Sequence, residues 1–142
     1  MIDSVAIQNH RELLIEEFLQ ENEFFVERIT DSVLKVNRTG ELPVYINVDE
    51  NQLFFEIDLG NVSEFASQDL YYRLLDLNTE ILPVSVGIDS TQPDDARLVL
   101  VESRESQNLD DNELMAVFNS LEIAVDKVEE VLSDYVTSDG KE

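Results

Sequence analysis

This chain of 142 residues contains no cysteine, one histidine, four glycines and nine basic side chains. The absence of cysteine excludes disulfide frameworks, thiol catalysis and thiolate zinc sites. The single histidine, His10, cannot form a His–His metal site, and no partner for acid–base work can be identified for it. The glycines stand alone, which excludes the dinucleotide fingerprint and the phosphate-binding loop. The sequence therefore predicts a protein that is not an enzyme, with no catalytic residue, no metal site and no cofactor.

The shortage of basic residues leaves 32 acidic side chains against 9 basic ones and a net charge of −23. We therefore expect no nucleic-acid partner, because binding a phosphate backbone depends on Lys and Arg. Docking to an anionic membrane surface would need a polybasic segment. The acids are spread through every segment, which favours a solvated acidic surface over one made for a basic partner. A surface made for a basic protein partner stays an open alternative.

The chain also lacks long apolar runs. The N-terminus, Met1-Ile2-Asp3-Ser4-Val5, has no basic region, so we expect no secretory signal. No stretch approaches the ~20 apolar residues of a membrane-spanning helix. These observations predict a cytoplasmic protein of bacterial type without membrane insertion. The length fits a single α+β domain over residues 1–136, and the polar residues 137–142 predict a disordered tail.

Alternating apolar residues predict strands over residues 33–38, 43–49 and 52–60. A two-residue turn at Glu50-Asn51 places three apolar pairs on one face of the sheet: Val48 with Leu53, Ile46 with Phe55, and Val44 with Ile57. A one-residue slip would destroy this agreement, so the register is well specified. Phe24-Phe25-Val26 is a short β-prone run, and an extra strand there stays an open alternative.

Apolar residues at a spacing of three or four predict helices over residues 10–21, 64–78 and 109–136, with N-caps at Asn9, Ser63 and Asn108. Two further strands are predicted at residues 84–89 and 98–101. The order is therefore α-β-β-β-α-β-β-α. It predicts an α+β fold in which helices flank an antiparallel sheet.

Three aromatic residues are candidate contacts to a protein partner or to a second subunit: Tyr45, Phe54 and Phe24. Neighbours in a strand point to opposite faces, so Phe54 leaves the core when Phe55 enters it. Tyr45 lies diagonal to Phe54 across the hairpin. One member of the Phe24-Phe25 pair leaves the core for the same reason, and Phe24 is the candidate. Isolated surface aromatics, or coverage by a helix, would give the same pattern.

The C-terminal half carries a resemblance to known proteins. It rests on residues 82–88 (Leu-Pro-Val-Ser-Val-Gly-Ile), the acidic loop after them, the strand at 98–101 and the long helix beginning at Asn108-Leu109. With the element order and size, these resemble the type III secretion chaperone-like fold and, within it, the YjfI-like family of bacterial proteins of unknown function. The resemblance implies a dimer that binds an extended segment of a partner without hydrolysing ATP.

We therefore expect a non-enzymatic, acidic protein-interaction or chaperone-like protein that binds an unidentified protein partner as a homodimer. An acidic regulator that sequesters a basic protein is the first alternative, and its binding would weaken steeply with salt. A carboxylate-dependent, metal-binding hydrolase is the second, and it would bind divalent ions with a discrete stoichiometry.

Overall fold

A computed structural model of the chain describes residues 14–107 and 109–140. Its elements, in chain order, are helix α1 (residues 14–21), strands β1 (Phe25–Arg28), β2 (Val33–Asn37), β3 (Val44–Asp49) and β4 (Gln52–Gly60), helix α2 (Gln68–Leu77), strands β5 (Ser85–Asp89) and β6 (Arg97–Glu105), and helix α3 (Asp111–Gly140). The strands form one antiparallel sheet in the order β1-β2-β3-β4-β6-β5. The predicted α+β class and element order are confirmed, and β1 is the extra strand near Phe24.

The chain divides into two compact units. The first unit contains the residues up to Ile57 together with Ser103–Met115, and the second contains Asp58–Glu102 together with the residues from Ala116 onward. The single domain predicted over residues 1–136 stays a prediction. The backbone of α3 is helical as far as Gly140, which is later than the predicted end at residue 136. Helical hydrogen bonds propagate one residue at a time and can continue past the last apolar contact.

The core of the first unit follows the predicted hairpin register. Ile46 pairs with Phe55 and Val48 pairs with Leu53 across a turn at residues 50–51. Val44 and Ile57, the third predicted pair, are both buried. The same face continues into β2, where Leu34 pairs with Ile46 and is fully buried. One face of these strands is therefore a continuous apolar core.

The end of α1 decides which member of the Phe24-Phe25 pair is buried. Phe24 N–H donates to the Leu19 carbonyl at 3.0 Å, and Glu23 N–H donates to the Gln20 carbonyl at 3.2 Å. These are the two bonds of a Schellman motif, with Glu23 in the left-handed region at φ 69°. The motif folds Phe24 back toward Leu19, and both side chains are buried. The expected orientation is corrected: Phe24 is a core residue, and Phe25 is 65% exposed.

Helix α2 begins later than the sequence predicts. Its N-cap is Ser67, whose side-chain oxygen accepts a hydrogen bond from Leu70 N–H at 3.0 Å. Ser63, the predicted cap, instead donates its own N–H to Asn61 Oδ1 at 2.9 Å in a local turn. The prediction of a helix over residues 64–78 is therefore wrong at its N-terminus, because the Asn61 side chain competes for the backbone there.

Helix α3 is capped by Asp110, whose Oδ1 accepts a hydrogen bond from Glu113 N–H at 2.8 Å. The predicted caps Asn108 and Asn9 lie outside the described residues. Within the second unit, α3 buries a stripe at helical spacing: Val117, Phe118, Leu121, Ala124, Val125 and Val128. The helix has 30 residues, yet no helix in the described part of the chain is both long and apolar enough to cross a membrane.

Candidate protein-interaction surfaces

The first candidate surface is the outer side of the sheet in the first unit. Tyr45 pairs with Lys35 on one side and Glu56 on the other, and Phe54 pairs with Asn47 in the neighbouring row. Tyr45 is 37% exposed and Phe54 is 43% exposed, so both point outward as the sequence predicts. Phe25 lies on the same side of the sheet. We name Phe25, Tyr45 and Phe54 the outer aromatic face.

Two aliphatic residues extend this face. Ile29 N–H donates to the Val33 carbonyl at 2.9 Å, which continues the β1–β2 ladder by one pair. Ile29 is exposed and Val33 is half-buried. The outer aromatic face is thus part of an apolar patch interrupted by charged and amide side chains, which is the composition of a protein-interaction surface and not of a core.

The second candidate surface lies in the second unit and was missed by sequence reasoning. Tyr71 and Leu75, one turn apart on α2, are exposed, and so is Ile88 on β5. Together with four neighbouring residues they line an open apolar groove of about 270 Å³: Leu74, Val86, Gly87 and Leu98. We name this the α2–β5 surface. The one feature of the sequence that could have indicated this surface is Leu75, an apolar residue of α2 that lies outside its buried positions Leu70, Leu74 and Leu77.

Polar contacts join α2 to α3, in addition to the buried residues Leu70, Leu74 and Leu77 of α2. The Tyr135 hydroxyl donates to the Asp69 carboxylate, and Arg73 Nη2 donates to Asp134 Oδ2 at 2.9 Å. The hydrogen bond to Asp69 raises the pKa of Tyr135. The hydrogen bonds to Tyr135 and Asp134 raise the pKa of Arg73. Asp69 and Arg73 are four residues apart on one side of α2 and are bonded to α3, whereas Tyr71 and Leu75 lie on a side that is exposed.

Strand β5 forms one end of the sheet, and a side chain covers part of its edge. Val86 N–H donates to Asn78 Oδ1 at 2.6 Å. Just before the strand, Val84 N–H donates to the Ile81 carbonyl at 2.9 Å. The residues that end α2 therefore satisfy the first amides of this edge, and Ile88 of the α2–β5 surface lies beyond them.

Two carboxylates of the second unit, Asp58 and Asp95, accept hydrogen bonds from side chains of the same unit. Arg97 Nε donates to both oxygens of Asp58 at 3.2 Å, and Arg97 Nη1 donates to Asp95 at 3.2 Å. The Asn61 amide, at 2.9 Å, and Arg97 together lower the pKa of Asp95. Over the described residues, no group of three or more His, Asp or Glu is placed to hold a metal ion. The contacts among Asp58, Asn61, Asp95 and Arg97 instead link the end of β4 to the loop that precedes β6.

The CesT_Tir_1 family model matches residues 8–138 of the sequence. The chain belongs to the CesT_Tir_1 family. A chain in the structure of the heterodimeric ExoU–SpcU complex from the type III secretion system of Pseudomonas aeruginosa is similar, with a TM-score of 0.67 and 18% identity over 82% of this chain and 96% of that chain. No curated protein matches the sequence.

A second similar structure contains the Yersinia pestis type III secretion chaperone SycH in complex with a stable fragment of YscM2. The TM-score is 0.58 and the identity 19%, over 85% of this chain and 98% of that chain. The predicted type III secretion chaperone-like fold is thereby confirmed for this CesT_Tir_1 protein. The narrower resemblance to the YjfI-like family stays a prediction.

Proposed function

We propose that this protein is a non-enzymatic, chaperone-like protein of the bacterial cytoplasm that holds an extended segment of a protein partner and works as a homodimer. The observation that carries the proposal is the outer aromatic face. Tyr45 and Phe54 are exposed on strands β3 and β4, whose opposite side is buried, and Phe25 is exposed on β1 of the same sheet. Tyrosine and phenylalanine are enriched at protein interfaces, and tyrosine is among the residues that dominate binding energy there.

The spacing of the outer aromatic face suits an extended segment. Phe25 lies on β1 and Tyr45 on β3, two strands apart, which corresponds to about 10 Å across the sheet. A few residues of extended chain cover this distance, with alternate side chains facing the sheet. The complexes in the two similar structures, ExoU–SpcU and SycH–YscM2, give support because each contains a protein partner.

The proposed homodimer uses the α2–β5 surface. A second copy offers the same exposed residues Tyr71, Leu75 and Ile88, and a two-fold arrangement pairs such a surface with itself. This assignment separates the two activities: the second copy covers the α2–β5 surface, and the partner covers the outer aromatic face. Substitutions on one surface should therefore leave the other activity unchanged.

The partner is tested by capture from a native bacterial lysate at low and high salt, with the bound proteins identified and quantified. The double variant Tyr45→Ser/Phe54→Ser should lose about tenfold or more of the captured partner, because each exposed ring is a candidate hot spot worth more than about 1 kcal/mol. Leu42→Ser, an exposed apolar residue of the β2–β3 loop, is the matched control. Equal capture by the double variant and the wild type would contradict the proposal.

The oligomeric state is measured on the same samples by sedimentation. The wild type should sediment as a dimer, and Tyr71→Ser/Leu75→Ser should shift it to a monomer while capture of the partner continues. Ile123→Ser, which changes an exposed residue of α3, should leave the dimer intact. A monomeric wild type, or a double variant that is still dimeric, would rule out this interface.

A further inference from the structure

A groove in the first unit, between α1 and the start of α3, has no role in the function proposed so far. Its apolar floor is formed by five side chains: Leu14, Ile15, Phe18, Leu109 and Leu114. The groove has a volume of about 270 Å³. Ile15, Leu109 and Leu114 are buried, whereas Leu14 is 43% exposed at the mouth. The groove is therefore open to a side chain from outside the unit.

The rim of this groove carries charge of one sign. Glu17 and Glu21 line it from α1, and Asp110 and Asp111 line it from α3. All four carboxylates belong to exposed residues, and none of the described residues that line the groove is basic. Asp110 caps α3, but the cap uses one of its two oxygens. An acidic segment in this groove would be repelled, since like charges at an interface cost several kcal/mol.

We propose that the groove binds a segment of the protein partner in which an aliphatic or aromatic side chain is flanked by lysine or arginine. This inference rests on the proposed partner binding and specifies the chemistry of the partner. The apolar side chain covers Leu14 and occupies the floor. Lysine and arginine suit the rim because their stems pack on apolar surface while the charged ends reach the carboxylates.

The test measures fluorescence anisotropy of labelled nine-residue peptides with the full chain. One peptide alternates Arg and Leu, the second alternates Arg and Ser, and the third alternates Glu and Leu. Only the Arg–Leu peptide should bind well, and added salt should weaken its binding without abolishing it. The variant Glu17→Gln/Glu21→Gln should weaken binding about fivefold, which is the effect of removing two exposed ion pairs. Leu14→Ser should also weaken it.

The matched control is Glu129→Gln/Glu130→Gln, which makes the same change of charge at two exposed positions of α3 in the second unit. It should leave the affinity for the Arg–Leu peptide unchanged. Equal weakening by both double variants would overturn the inference, since it would mean general attraction to an acidic protein. Equal binding of the Arg–Ser or the Glu–Leu peptide would overturn it too.

The inference and the proposed function can fail separately. Capture of a lysate partner through the outer aromatic face, without binding of the Arg–Leu peptide, would overturn the inference and leave the proposed function standing. Binding of the peptide with the expected losses in Glu17→Gln/Glu21→Gln, but no captured partner, would support the groove and contradict the proposed function.

Discussion

The Schellman motif that ends α1 gives a sharp stability prediction. Glu23 occupies its left-handed position with φ at 69°, a conformation that glycine adopts without steric cost. The side chain of Glu23 is exposed, so Glu23→Gly removes no buried contact. The backbone bonds from Glu23 and Phe24 to the last turn of the helix are retained. We therefore expect Glu23→Gly to stabilise the protein.

The magnitude follows from two opposing effects at Glu23. Holding a residue with a side chain in the left-handed region costs about 1–2 kcal/mol. Glycine gains conformational freedom in the unfolded chain, which costs about 0.5–1 kcal/mol. The difference, taken between the middles of the two ranges, predicts a rise of about 0.75 kcal/mol in the free energy of unfolding. For a chain of this size that corresponds to a rise of about 2–4 °C in Tm.

Urea denaturation and thermal unfolding of the wild type and two variants measure this effect. The control is Glu17→Gly, which removes the same charge from an exposed site inside α1. There glycine is disfavoured, so the control should lose about 1 kcal/mol. Replacing Glu by Gly is thus expected to raise the free energy of unfolding at position 23 and to lower it at position 17, six residues earlier. A loss of stability in both variants would refute the assignment of the left-handed cap.

Two further predictions concern side chains of the strands and the second unit. Phe55→Ala should lower the free energy of unfolding by about 3–5 kcal/mol because Phe55 is 1% exposed. The neighbouring Phe54→Ala should lower it by less than about 1 kcal/mol. Similar urea midpoints for the two variants would contradict the strand register. The raised pKa of Tyr135 means that its hydrogen bond stabilises the fold below the ordinary tyrosine pKa of about 10, and that this contribution is lost as the pH rises through the folded-state pKa. Urea titrations between pH 8 and 11 should therefore show the wild type losing its advantage over Tyr135→Phe as the pH rises, and a constant difference would be evidence against this hydrogen bond.

The hairpin of β3 and β4 could be predicted from the sequence because only one strand register places its alternating apolar residues on the same face. One face of the two strands is buried, so a shift of one residue would expose Ile46 and Phe55 together. The outward positions of Tyr45 and Phe54 follow from the same alternation. The part of the candidate site that depends on strand periodicity can therefore be predicted from the amino-acid sequence alone.

The orientation of Phe24 and Phe25 could not be predicted in this way. The alternation of inward and outward side chains in β1 begins anew after α1. Which side chain points inward first depends on the left-handed backbone of Glu23, and the sequence does not indicate that conformation because the residue is not glycine. The start of α2 was predicted four residues too early at Ser63, because serine caps helices in general and the turn made by Asn61, which occupies the Ser63 N–H, has no periodic signal. The α2–β5 surface combines residues distant in sequence, which local patterns do not bring together.

Asn78 limits open-ended association at the β5 edge. An uncovered sheet edge acts as a template on which further strands add, and long edges of this kind promote aggregation. Asn78 Oδ1 already accepts a hydrogen bond from Val86 N–H, the second residue of the five-residue strand β5. This amide is therefore occupied when another strand approaches the edge. An added strand therefore has one backbone donor fewer to pair with at this edge. This hydrogen bond therefore disfavours the addition of a further strand at the β5 edge.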